Sequence, residues 1–142
     1  MTEGAIALVL HAHLPYVRSA EPGSLEEDWF FQALLECYLP LLETLEQADA
    51  DPACQPKVTI GLSPTLLSLL DDPDLRQRFP SWLEQRLELL VEAAPELRNA
   101  SDHLAETIER HQRSWNTCRG DLIGRFAALQ RRDVVDLLTC GA

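Results

Sequence analysis

The sequence predicts an α/β fold in which three parallel strands are joined by helical crossovers. Three observations predict it. A continuous apolar run without alternation occurs at 5–10 and suits a parallel strand covered on both faces, and strand-like segments recur at 57–62 and 133–140. The stretches between them place apolar residues at helical spacing. A helix-start signal, Ser63-Pro64, follows the second run directly, with serine as N-cap and proline in the first turn.

The first strand is expected over Ala5-Ile6-Ala7-Leu8-Val9-Leu10, closing in His11-Ala12-His13-Leu14-Pro15. Residues 18–28 read as a polar loop. Ser24 and Glu27 have capping-box spacing, in which each side chain satisfies a free N–H at a helix start. Trp29, Phe30, Ala33, Leu34, Cys37, Tyr38, Leu41, Leu42 and Leu45 then form an apolar stripe. Pro40 lies inside it and cannot donate to Glu36, which predicts a kink. After an acidic loop at 47–56, the second strand covers 57–62.

Ser63-Pro64 and Asp72-Pro73 each open a helix, and Ser81 with Glu84 predicts a further start carrying Trp82, Leu83, Leu87, Leu90 and Ala94. Pro95 separates this from a long helix striped by Leu97, Leu104, Ile108, His111, Trp115 and Cys118, which Gly120 breaks. Leu122, Ile123, Phe126 and Ala127 mark one more helix before the third strand.

The chain has 142 residues and 46% apolar content, enough for one domain with its own core. Its 23 acidic side chains against 12 basic ones leave a net charge of −11. That field repels phosphate backbones and anionic lipid, which argues against nucleic-acid and membrane-surface roles. The four cysteines, Cys37, Cys54, Cys118 and Cys140, form no C-x-x-C pair, so they read as buried free thiols in a reducing compartment. Met1-Thr2-Glu3-Gly4 lacks the basic region of a signal peptide, and a cytoplasmic location is expected.

Sites in parallel α/β folds form beyond the C-terminal ends of strands. Three clusters are predicted to meet there: 11–15, Ser63-Pro64 and 139–142. Residues two apart on a strand point the same way, so His11 and His13 can face one cavity. That spacing fits a metal site, polar substrate binding, or a structural pair bonded to neighbouring loops, and it does not choose among them. Trp29, at the start of the first long helix, suits the apolar face of a sugar ring or, more simply, a core position. Trp82 and Trp115 read as core, His103 as exposed and His111 as half-buried packing. No dinucleotide-binding, P-loop, nucleophile-elbow or H-E-x-x-H motif occurs.

Four segments, in order, carry a resemblance: Leu8-Val9-Leu10-His11-Ala12-His13-Leu14-Pro15-Tyr16, Trp29-Phe30-Phe31-Gln32-Ala33 through Leu42, Thr59-Ile60-Gly61-Leu62-Ser63-Pro64-Thr65-Leu66-Leu67, and Asp121-Leu122-Ile123-Gly124 with Leu137-Leu138-Thr139-Cys140-Gly141-Ala142. The chain resembles the N-terminal part of glycoside hydrolase family 57, particularly its 1,4-α-glucan branching members. The resemblance implies that 1–142 is a portion of a (β/α)7 barrel and acts on α-glucan without a metal or cofactor. It implies that His11 and His13 line the sugar subsites, that Trp29 stacks on glucan and that Ser63 lies at the rim.

In that family a glutamate nucleophile and an aspartate acid/base act by double displacement. Neither matches a residue here, so no catalytic residue is assigned, and 1–142 alone is expected to be inactive. A strand without its following helix at the C-terminus agrees with a truncated barrel. Two other readings stand beside this one. One is a metal-dependent deacetylase or amidohydrolase-like barrel using His11 and His13; the other is a non-catalytic α/β module.

Overall fold

A computed structural model describes residues 4, 6–18, 23–92 and 94–139. Its sheet has three parallel strands, β1 (Val9–Ala12), β2 (Val58–Leu62) and β3 (Val135–Thr139), in the order β1-β2-β3. The first strand sits later than the apolar run suggested and includes His11. Its register pairs His11 with Gly61, and Gly61 with Leu138.

That register divides the sheet into two unlike faces. Ala12, Val58, Ile60, Leu62 and Val135 are buried on the face that the helices cover. On the other face Val9, His11, Asp136 and Leu138 are exposed. The expected two-sided burial is therefore corrected for the described residues. Among the described residues, the buried apolar side chains of the strands point to one side of the sheet, and the opposite face is largely uncovered.

Helices α1 (Leu25–Ala33) and α2 (Leu39–Ala50) form one continuous rod joined by a π-turn, Leu34–Tyr38. The N–H of Leu39 bonds the carbonyl of Leu34, five residues back. The irregularity thus precedes Pro40, which sits in the first turn of α2. A π-turn adds a residue to the helical period and rotates the stripe. Phe30, Phe31, Leu34, Leu35, Tyr38, Leu39, Leu42 and Leu45 are buried, while Trp29 and Cys37 fall outside and are exposed. The Ser24 hydroxyl accepts from the N–H of Glu27 at 3.3 Å, but Glu27 accepts from Gly23 rather than Ser24. Glu27 is buried and paired with Arg78 Nη1 at 2.8 Å.

Ser63 and Asp72 cap α3 (Pro64–Asp71) and α4 (Pro73–Val91) as expected. No new helix starts at Ser81. Instead α4 runs on through Pro80, because the Phe79, Trp82 and Leu83 contacts to the core outweigh the lost N–H. Phe79 stacks among Phe31, Trp82 and Trp115, with ring centroids 5.5, 5.9 and 4.6 Å away. A 3-10 turn, Pro95–Leu97, leads into α5 (Arg98–Cys118). Only the second half of α5 is packed. Ile108, His111 and Trp115 are buried, whereas Leu97 and Leu104, expected on the stripe, are exposed.

Arg119 and Gly120 end α5 at φ 53° and 72°, the left-handed backbone for which glycine is suited. Helix α6 (Leu122–Arg131) then returns to β3, its Asp121 cap accepting from Gly124 N–H at 2.8 Å. Between the helices run two polar seams. His111, fully buried rather than half-buried, is bonded through Nδ1 to Glu43 at 2.9 Å. Arg125 forks onto Glu46 at 2.9 and 2.7 Å and reaches Ser114. Burial alone would lower the pKa of Arg125, but the Glu46 carboxylate outweighs it and the net direction is up. Cys54 is also exposed and Cys118 half-buried, so the expectation of buried thiols fails for Cys37 and Cys54. Cys140, Gly141 and Ala142 lie outside the described residues.

Candidate functional site

His11 and His13 stand at the C-terminal end of β1, the strand-end position where parallel folds build sites. Both are exposed. Their rings stack in near-parallel planes, 10° apart with centroids 5.8 Å from each other, so the pair does share one direction, as the strand period predicted. Room for His11 comes from its register partner. A Cβ at Gly61 would lie 3.5 Å from His11 Nδ1, so a larger side chain there would press on the ring. An isolated strand glycine commonly marks such a close approach.

Both histidines also line a cleft of about 320 Å³ along the free edge of β1, with Leu10, Cys37 and Tyr38 among its walls. Burial, then the neighbouring Cys37, pushes the Tyr38 phenol up from 10.0 to about 12. Tyr38 therefore stays a neutral hydroxyl further into the alkaline range than a free tyrosine. Imidazole nitrogens on an open face offer donors and acceptors to hydroxyl-rich ligands.

The loop beyond β1 is fastened on two sides. Arg18 reaches Asp72 through Nε at 2.6 Å and Asp74 through Nη2 at 2.9 Å. The hydroxyl of Thr65 donates to the Leu14 carbonyl at 2.8 Å. Ser63 contributes its N–H to the Ala12 carbonyl at 3.1 Å. The second predicted cluster thus meets the first, while most of the third, 140–142, lies outside the described residues.

Ser63 itself is buried, and its hydroxyl caps α3 by accepting from Leu66 N–H and bonds Thr65 Oγ1. Trp29 is 52% exposed and is not among the residues lining the histidine cleft. Among the described residues, no three His, Cys, Asp or Glu side chains gather as a metal would require. Sequence reasoning missed Gly61, Thr65, Arg18 and Tyr38. The S-x-T spacing after β2 and the glycine inside it were the available signals.

Comparison with known proteins places these features. No protein-family profile matches the chain. It is 28% identical over 143 aligned residues, 99% of its length, to the 1,4-alpha-glucan branching enzyme of Thermococcus kodakarensis. It is 35% identical over 97 residues, 68% of its length, to a probable 1,4-alpha-glucan branching enzyme of Mycobacterium tuberculosis. The chain spans only about a fifth of these relatives, 21% and 18%.

Among solved structures, a family 57 branching enzyme from Pyrococcus horikoshii superposes with a TM-score of 0.86 at 28% identity, over 94% of this chain and 26% of that one. The T. kodakarensis branching enzyme, solved in complex with glucose, gives 0.83 at 28% identity over 94% and 24%. An alpha-amylase of Thermotoga maritima gives 0.88 at 26% identity over 99% and 28%. In sequence and fold alike, the chain is a branching-enzyme-like segment of glycoside hydrolase family 57.

Proposed function

We propose that residues 1–142 are the first part of a (β/α)7 barrel that rearranges α-glucan in the cytoplasm, most specifically a 1,4-α-glucan branching enzyme of glycogen or starch metabolism. The observation that supports this reading best is the placement of the H-x-H pair. Residues that the resemblance assigns to sugar subsites stand exposed on the open face of the sheet, at the strand end where sites form. In a closed barrel that face is the interior. His11 and His13 then bond sugar hydroxyls, and Trp29, half-exposed at the start of α1, offers its ring to a more distant sugar. Ser63 supports the rim from beneath through its cap.

The reaction runs by double displacement. A carboxylate opens the α-1,4 link, a glycosyl-enzyme intermediate forms, and a glucan 6-hydroxyl takes up the chain. By the resemblance both carboxylates belong to barrel strands that 1–142 does not include. The segment therefore binds and orients glucan and does not cleave it. Incubating the purified chain with amylose and then digesting with a debranching enzyme tests this. No new α-1,6 linkages are expected, and robust branching by 1–142 would overturn the division of labour.

A further inference from the structure

We propose that Thr65 is a positioning residue for His13, an inference that rests on the glucan-subsite reading above. A single chain of hydrogen bonds runs from α3 to the loop after β1. Leu66 N–H donates to Ser63 Oγ at 3.3 Å, Ser63 Oγ lies 3.0 Å from Thr65 Oγ1, and Thr65 Oγ1 donates to the Leu14 carbonyl at 2.8 Å. A hydroxyl has one proton. Thr65 commits its own to Leu14, so Ser63 donates between the two hydroxyls and the whole chain runs one way.

The Ala12 carbonyl, on the other side of His13, accepts from Ser63 N–H at 3.1 Å. The peptide carbonyls of the residues immediately before and after His13 are therefore both held by the 63–65 turn. His13 is exposed, so packing does not lock its ring. Its direction comes from this fastened backbone and from the stack on His11. Of the two fastenings, the one at Leu14 depends on a side chain, and substitution reaches it. Supporting side chains of this kind hold a binding group in its productive geometry.

The test uses the full chain with isotope-labelled histidine, in the variants Thr65→Val, Thr65→Ala, Thr65→Ser and Ser63→Ala. Valine keeps the shape of threonine and loses the hydroxyl, alanine removes both, and serine keeps the hydroxyl. Thr65→Val and Thr65→Ala are expected to shift the imidazole resonances of His13 and weaken maltoheptaose binding by up to about tenfold, the scale of the one hydrogen bond to sugar that a misplaced His13 fails to make. Thr65→Ser is expected to restore both to within about twofold. Ser63→Ala removes the cap but leaves Thr65 free to donate to Leu14, so thermal stability should fall while the His13 signals shift less than in Thr65→Val or Thr65→Ala.

Folded Thr65→Val or Thr65→Ala whose His13 signals superimpose on those of the parent chain would overturn the proposal. So would a Ser63→Ala shift as large as theirs, which would mark general loosening. The ring signals require no sugar. Failure of the parent chain to bind maltoheptaose would remove the glucan reading, while a hydroxyl-dependent shift of His13 would still support positioning.

Discussion

Gly61 controls the space that His11 occupies. A β-carbon there would sit 3.5 Å from His11 Nδ1, an ordinary contact. Gly61→Ala is therefore expected to leave stability unchanged or raise it by up to about 1 kcal/mol, since alanine restricts the unfolded chain. Gly61→Val adds methyl groups beyond that contact and should displace the imidazole, which chemical shifts of the His11 ring would report alongside urea unfolding. An undisturbed ring in the valine variant would show that His11 has more room than its register allows. The H-x-H pair itself was legible because strand periodicity is a property of the backbone. The roles of Gly61 and Thr65 were not, because both depend on which strands become neighbours.

The elements show where local signals are sufficient and where packing overrides them. Ser63-Pro64 and Asp72-Pro73 start helices as expected, since capping is settled within a few residues. The Ser81–Glu84 signal, chemically just as good, is ignored inside α4. There Phe79 and Trp82 lie in an aromatic cluster with Phe31 and Trp115, and tertiary burial favours an unbroken rod through Pro80. The π-turn at Leu34–Tyr38 carried no warning beyond Pro40, and its extra residue moved Cys37 off the buried stripe; Trp29 precedes the turn and lies on the side of α1 away from Glu27, Phe30 and Phe31. Phe79 is fully buried at the centre of the cluster. Phe79→Ala is therefore expected to cost about 3–5 kcal/mol, measured by denaturant unfolding. A loss below about 1 kcal/mol would mean that the cluster does not hold α4 in place.

At the scale of the whole molecule, the α/β class, the parallel strands and the meeting of two strand ends were legible from the order of apolar runs and caps. The one-sided sheet was not. An apolar strand looks the same whether its second face is covered within 1–142 or by other parts of a barrel. Global stability also has a predicted pH dependence. The Tyr38 phenol ionises near 10.0 when unfolded and at about 12 when folded, so between those values the native state binds more protons. Its contribution is intact below about pH 10 and is lost as pH rises through 12, by at most about 3 kcal/mol. Urea midpoints at pH 9 and pH 11.5 should differ accordingly, and Tyr38→Phe should lessen the difference. Equal slopes in both proteins would place the titrating group elsewhere.

The central claim is that the exposed His11–His13 pair receives α-glucan, and titration of the chain with maltoheptaose tests it most directly. Weak binding, roughly millimolar, is expected for part of a subsite row, with shifts centred on the two imidazoles and a smaller one at the Trp29 indole. His11→Ala and His13→Ala should each abolish it while leaving the melting temperature nearly unchanged, because exposed side chains contribute little to stability. No binding by the parent chain, or binding indifferent to both substitutions, would contradict the claim.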